Sequence, residues 1–366
     1  MDWIDVARRV VPRSLRHAIQ RVVTMSDVKL RYFERRDPLT NVVRGEGGSG
    51  NDVTVGIFRN RAQFHTRYVA ACMEAGVAFE VLDIYAHDWL DRVRAVACDV
   101  YLAWPDATST PTAKLMKDRL ELLEVDAGLR VIPSRHERWM YEDKVRASDW
   151  LRLHDVPHPR TWVFQDRLEA ETFASVCRLP VVTKTAFGAA ATGVRILRTR
   201  RQVRSVIASA FGGGLVAGGG DRRDRQWGFV LFQEMVDVAT EWRLVRIGDS
   251  YFGHPKGQRG QFFSGSGRVD WEVPQARHLD LLHEVTEAGG FRSMAVDVFE
   301  TRQGALLVNE LQTVFGASTS IDQLRVDGEP GRMIRGVEGW SFEPGDFARN
   351  HCANARLEDA LVMVTR

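Results

Sequence analysis

Between residues 53 and 133 the chain alternates short apolar runs with segments of helical period, and that alternation narrows the folds open to it. Residues 53–58 (Val-Thr-Val-Gly-Ile-Phe), 79–82, 100–104 (Val-Tyr-Leu-Ala-Trp) and 131–133 read as strands. Between them, Tyr68, Val69, Ala71, Cys72 and Ala75, then Leu115, Met116, Leu120 and Leu123, fall at helical spacing. Strand–helix–strand repetition predicts a small parallel sheet with helices on both faces, an α/β unit over residues 51–134. No GxGxxG follows the first strand, so nothing marks a dinucleotide site there.

From about residue 134 the pattern becomes α+β. A helix is expected over 143–153, strands at 160–164, 179–184 and 194–197, and a helix over 168–177. Strands follow at 229–236 and 241–247, with a helix over 278–289 carrying Leu279, Leu282 and Val285 on one side. Residues 212–225, rich in glycine and charge, read as a mobile loop. The chain divides into an N-terminal extension and linker (1–50), the α/β unit (51–134), a larger domain (135–325) with a subdomain at about 160–235, and a C-terminal extension (326–366). Its 366 residues are enough for two or three domains with a sizeable core.

Composition excludes several classes. Hydrophobic residues make up 44% and charged residues 27%, the balance of a globular chain. A net charge of +2 gives no argument for nucleic acid, and none is expected as a partner. Cys72, Cys98, Cys177 and Cys352 are scattered with no CxxC pair, which fits buried thiols in a reducing cytoplasm. No apolar run is long enough to span a bilayer, and arginines cut the N-terminal apolar stretches. Residues 1–44 hold ten Lys/Arg against five Asp/Glu, with Leu15, Ala18, Ile19, Val22 and Val23 on one helical face. Such a helix docks on the protein's own body, a partner, or an anionic membrane, giving a cytoplasmic and membrane-proximal expectation. Residues 45–50 (Gly-Glu-Gly-Gly-Ser-Gly) read as a flexible linker.

The residues suited to chemistry lie near expected strand ends. Asp297 sits in an apolar run, and Glu310 and Gln312 follow another, with Arg302-Gln303-Gly304 as the turn between. Glu310 and Gln312 are two apart and share a strand face. Three oxygen ligands on one face suit a hard cation such as Mg²⁺ (or Mn²⁺). Lys184 ends a strand just before the small-residue loop from Gly188 to Gly193, where backbone N–H groups could approach phosphate. Glu234, Met235 and Val236 leave another strand, where backbone groups and the Glu could read an adenine edge and Met could pack on a flat ring. Glu241 and Arg243 alternate on one face, suited to a ribose hydroxyl and a phosphate; a cross-strand ion pair explains them equally well. His254-Pro255-Lys256 and Arg259 precede Ser264-Gly265-Ser266 and read as a mobile cationic loop able to hold an acyl-phosphate.

Taken in order, these elements resemble the ATP-grasp superfamily of carboxylate–amine ligases, similar to ribosomal-protein glutamate ligases and D-alanine–D-alanine ligases. The resemblance covers roughly residues 53–325. It rests on Glu142-Asp143-Lys144, the Val156-Pro157-His158-Pro159 lead into a strand, Lys184 with its glycine loop, Gln233-Glu234-Met235-Val236, Glu241-Trp242-Arg243, and Asp297 with Glu310 and Gln312. Gln312 stands where Asn is usual, and Thr185 where Pro is usual. The resemblance implies two α+β lobes clamping ATP, preceded by a parallel α/β sheet. It makes Lys144 and Lys184 phosphate contacts, Glu234, Met235, Val236 and Glu241 adenosine contacts, and Asp297, Glu310 and Gln312 the metal ligands. Arg243 and Lys256 would act on the transferring phosphoryl group. A carboxylate and an amine would be joined through an acyl-phosphate with release of ADP. The alternatives are a kinase on the same fold and a nucleotide-binding regulatory protein.

Overall fold

The structure is a computed structural model and describes residues 37–48, 52–188, 193–216, 222–257, 269–315, 319 and 321–365. The expected amphipathic helix near residues 15–23, the centre of the glycine loop (189–192), and Arg259, Ser264 and Ser266 lie outside the described residues.

Alternation over 53–133 folds as its period dictates. The strands are β1 (Arg44–Gly45), β2 (Thr54–Phe58), β3 (Ala78–Leu82), β4 (Val100–Ala103) and β5 (Val131–Ile132), in the order β1-β3-β2-β4-β5. β2 to β5 are parallel, and β1 adds an antiparallel edge. Helices α1 (Thr66–Ala75), α2 (Trp89–Ala95) and α3 (Thr110–Val125) fill the connections. Successive β4 side chains point to opposite faces: Val100 and Leu102 join a core with Val55, Ile57 and Val69, while Tyr101 and Ala103 join Phe58, Met116 and Leu120. The expected linker begins inside this sheet. Gly45 pairs with Phe79, and a Cβ there would lie 2.2 Å from the Phe79 ring, so glycine is needed for close packing rather than for slack.

Two short helices follow. α4 (Arg135–Met140) opens on a capping box of Ser134 and Glu137, and α5 (Lys144–Leu153) is capped by the Asp143 carboxylate, which accepts from the Arg146 N–H.

The second sheet uses β6 (Thr161–Phe164), β7 (Val181–Lys184) and β8 (Arg195–Leu197). A small hairpin, β9 (Leu215–Val216) with β10 (Arg225–Gln226), precedes its last strand, β11 (Val230–Glu234). The order β6-β11-β7-β8 is antiparallel throughout. Helices α6 (Arg167–Val176) and α7 (Arg200–Phe211) pack on one face through Ala170, Ala174, Val203 and Ile207 against Phe232. The glycine- and charge-rich stretch read as a mobile loop thus contributes β9 and the first residue of β10.

The third sheet holds β12 (Val238–Ile247), β13 (Ser250–Pro255), β14 (Ser293–Thr301), β15 (Leu306–Gln312), β16 (Arg325–Val326), β17 (Glu329–Gly336) and β18 (Gly339–Pro344). They run β15-β14-β12-β13-β17-β16, with β18 also on β17. α8 (Ala276–Gly289) covers one face, burying Leu279, Leu282 and Val285 against Leu244, Phe252 and Val296. One expectation is corrected here. His254-Pro255-Lys256 is not a mobile loop: β13 is buried along its whole length, and Lys256 bridges to Val269. The final helix, α9 (Arg349–Thr365), is kinked near its start, where Asn350, His351 and Cys352 take positive φ, and it returns to the first sheet, where Ala353, Leu357 and Ala360 enter the core of Val55 and Val69. Among the described residues, no helix is long and apolar enough to cross a membrane.

Candidate active site

The hairpin of β14 and β15 sets the centre of the site. Asp297 lies directly opposite Glu310, and Ala295 opposite Gln312, so Asp297, Glu310 and Gln312 share one sheet face. On the other side of β14, Asp297 pairs with Arg243 of β12. The register slips between Asp297 and Val298, leaving Asn309 as an extra residue on β15. Such a bulge re-aims side chains. Here Asn309 Oδ1 accepts from Lys184 Nζ at 2.9 Å, while neighbouring Glu310 Oε1 lies 3.2 Å from Lys144 Nζ.

Both lysines are placed by local structure. Lys144 opens α5, its N–H donating to Ala186 O and its Nζ to Gly188 O at 2.6 Å. Lys184 ends β7. Just beyond, Gly193 has φ of 84°, and a Cβ there would lie 2.4 Å from Thr185 Oγ1. That glycine cannot be replaced without moving the loop.

Asp297 is the most constrained group. Arg243 grips it with two hydrogen bonds, Nε to Oδ1 and Nη2 to Oδ2, each 2.9 Å. Lys256 Nζ adds a third to Oδ2 at 2.5 Å and a further bond to Glu241 Oε1 at 2.6 Å. Burial works to raise the Asp297 pKa, but Arg243 and Lys256 outweigh it and hold the carboxyl well below the usual range. Burial is likewise outweighed at Glu310, chiefly by Lys144, and its pKa is lowered. Lys184 is different: burial pushes it down to about 8. Glu142 is pushed up to about 7, by burial first, with Lys144 opposing and Glu310 reinforcing.

Of these groups, Glu142, Lys144, Lys184, Asn309 and Glu310 line an open cleft of about 450 Å³, together with Gln233. A second cleft of about 910 Å³ adjoins it, lined by Asp106, Lys114, Lys117, Tyr141, Arg146 and Phe187. Glu142 and Asp143 line both.

The structure therefore brings together Lys144, Lys184, Gly188, Arg243, Lys256, Asp297, Glu310 and Gln312. Glu241 is 3% exposed and turned onto Lys256, so its first partner is a cation of the chain. Glu234 is exposed at the cleft edge; its Oε1 accepts from the Arg160 N–H at 2.7 Å. Met235 is exposed beside it, and Val236 half-buried. Sequence reasoning did not select Glu142 or Asn309. Both adjoin residues it did select, but a positive φ of 51° at Glu142 and a bulge at Asn309 leave no one-residue signature.

The fit of a magnesium–triphosphate rests on this donor set. Among the described residues, no three His, Cys, Asp or Glu side chains form a metal cluster by themselves. The candidate set is two carboxylates and an amide, Asp297, Glu310 and Gln312, beside the cations. Buried Glu142 Oε2 has no hydrogen-bond partner, although Lys144 Nζ lies 3.9 Å away. A carboxylate-rich rim facing two lysines suits a hard cation carried with phosphates, so the residues fit.

No family model matches the chain. Curated relatives are the N5-carboxyaminoimidazole ribonucleotide synthases of Mycobacterium tuberculosis and Mycobacterium bovis, each 27% identical over 258 residues, which is 65% of this chain and 56% of the relative. The chain thus spans little more than half the length of those relatives. Among solved structures, N5-carboxyaminoimidazole synthetase from Staphylococcus aureus with ADP gives a TM-score of 0.55 at 13% identity, covering 81% of this chain and 85% of that one. The biotin carboxylase domain of Hydrogenobacter thermophilus 2-oxoglutarate carboxylase with MgADP and bicarbonate gives 0.54 at 15% identity, covering 73% and 65%. A RimK domain ATP-grasp protein from Sphaerobacter thermophilus gives 0.51 at 18% identity, covering 71% and 90%. At these identities the likeness is one of architecture, and the chain has the ATP-grasp fold.

Proposed function

We propose that the chain is an ATP-dependent ligase joining a carboxylate to an amine through an acyl-phosphate, with ADP as a product. One observation carries the reading: Lys144 and Lys184 converge with Glu310 and Asn309 on a single cleft of nucleotide-binding architecture. Lys144 and Lys184 are the phosphate contacts, and Gly188 and Gly193 let the loop backbone come close. Glu234, Met235 and Val236 at the cleft edge suit adenine. Asp297, Glu310 and Gln312 would hold Mg²⁺ (or Mn²⁺), which when bound neutralises phosphate charge. Glu241 serves the site through Lys256.

In the chemical step a substrate carboxylate oxygen attacks the γ-phosphorus, and the bond to the β-bridging oxygen breaks, leaving ADP. An amine then attacks the acyl carbon, loses a proton, and expels phosphate. Lys144, Arg243 and Lys256 are held by carboxylates and Lys184 by the Asn309 amide before substrate arrives, so little reorganisation is needed as charge shifts. The adjoining cleft beside Asp106, Tyr141 and Phe187 gives room for the substrates, its lysines and arginines balanced by Asp106, Asp118, Glu142 and Asp143. The relatives' names suggest the first pair to try, bicarbonate with 5-aminoimidazole ribonucleotide.

The test is a screen of carboxylate and amine pairs for free phosphate and ADP, with products read by mass. Phosphate release that needs both substrates supports a ligase. Phosphate found on a hydroxyl without free phosphate would make the protein a kinase. Tight binding of ATP without turnover by any pair would favour a regulatory role, which the threefold engagement of Asp297 also favours.

A further inference from the structure

A second group of cations lies next to the site and is not used by it. Arg67 and Tyr68 stand in the first turn of α1, and Arg356 in α9. All three gather round Trp104, at the carboxyl end of β4. The guanidinium carbons lie 4.7 Å (Arg67) and 5.4 Å (Arg356) from its ring centroid, and the Tyr68 ring 5.9 Å. Arg356 also approaches Phe315 at 5.1 Å, the same ring that Arg243 approaches at 5.5 Å, so the group adjoins the phosphate end of the site.

Their polar atoms are not satisfied. Arg356 is 1% exposed, and its Nε and Nη1 donate to Ser293 Oγ and His351 O, but Nη2 meets no acceptor. Arg67 Nη1, the Tyr68 hydroxyl and His351 Nδ1 are also buried without a partner. Among the described residues neither guanidinium pairs with an acid. A buried acid of the same interior, Glu137, gives its two oxygens to the N–H groups of Ser134 and Ser293. Buried cations without counter-charge are costly, and buried donors are normally paired. Burial and then Arg356 lower the Arg67 pKa to about 10, which still leaves it charged at neutral pH. The α1 N-terminus adds positive potential, and the carboxyl ends of parallel strands are where ligands of α/β sheets bind.

We propose that Arg67, Tyr68, His351 and Arg356 form an oxyanion subsite that holds a carboxylate or phosphate group of the substrate beside the nucleotide cleft. That the anion belongs to a substrate rests on the ligase reading; that the subsite binds an anion does not.

The test is binding of inorganic phosphate, and in parallel acetate, to the full chain, read as a rise in unfolding midpoint. It compares wild type with Arg356→Gln, Arg67→Gln, Tyr68→Phe and Lys184→Ala. Phosphate is expected to stabilise wild type and Lys184→Ala alike. Apparent affinity should fall about tenfold or more in the arginine variants and severalfold in Tyr68→Phe. If Arg356→Gln does not fold, as seen by circular dichroism, Arg67→Gln and Tyr68→Phe decide. Stabilisation lost in Lys184→Ala but kept in the other variants would put the ion in the nucleotide cleft and overturn the inference. An equal response in all variants, meaning an adventitious ion only, overturns it too, as does no response to either anion. The tighter of the two anions names the group. ATP binding, measured separately, reports on the ligase reading alone.

Discussion

Lys184 shows how a single residue can serve a ligand at the expense of the apo fold. Its ammonium is buried with one neutral hydrogen-bond partner, Asn309. Its pKa falls from 10.5 to about 8 on folding, so the unfolded chain binds more protons between those values. Stability therefore rises with pH across that window, and this contribution is lost as pH falls through about 8. Lys184→Met should leave the unfolding midpoint at neutral pH unchanged or higher, yet weaken ATP binding about tenfold or more. Wild-type affinity for ATP should decline as pH rises past 8, because the deprotonated amine no longer offsets phosphate charge. The variant should lack that decline, and calorimetric titration on either side of this pH checks both. Asp297 behaves in the opposite way. Asp297→Asn leaves Arg243 and Lys256 short of a counter-charge in the interior and should cost about 3 kcal/mol or more, measured by denaturant unfolding. Glu310→Gln is the cleaner probe of metal dependence. Lys144 keeps Gly188 O and Glu142, so the loss of stability should be about 1 kcal/mol while Mg²⁺-dependent turnover disappears.

Elements carry the site through irregularities more than through regular structure. The turn at Gly193 is one: Gly193→Ala must adopt φ of 84° and push Thr185 aside, at a cost of about 1–3 kcal/mol in the loop. Faster proteolysis near Thr185 and weaker ATP binding, without change at the first sheet, would verify this. The regular elements were legible because their periods are clean, as in the 53–58 strand and the Leu279, Leu282, Val285 helix. That Asp297 and Glu310 lie on paired strands was legible from the turn between them, but not their exact pairing: the register set at the turn runs Val298 to Val308, and only the bulge at Asn309 brings Glu310 opposite Asp297. β13 was not legible. Gly253, His254, Pro255 and Lys256 carry every mark of a loop, and only the carboxylates of Glu241 and Asp297, remote in the chain, make burial of Lys256 acceptable. α7 was missed because Arg200, Arg201 and Arg204 mask a face of Val203, Val206, Ile207 and Ala210. Arg67 and Arg356 escaped notice because two arginines 289 residues apart leave no local pattern.

At the scale of the molecule, the last helix closes onto the first sheet. α9 buries Ala353, Leu357 and Ala360 against the core of β2 and α1, and Asn350 and Asn354 hydrogen-bond Glu74 at the end of α1. Truncation before Arg349 should therefore yield no cooperatively folded first sheet, although α9 lies outside the span that the motifs mark. Loss of the thermal unfolding transition and recovery only in aggregates are the expected results. The same packing governs how the chain can be made. During synthesis the β2–β4 sheet leaves the ribosome early but lacks part of its cover until residues 349–365 emerge. Until then α1 alone packs on Val55 and Ile57, and the part of that core that Ala353, Leu357 and Ala360 complete stays exposed during translation.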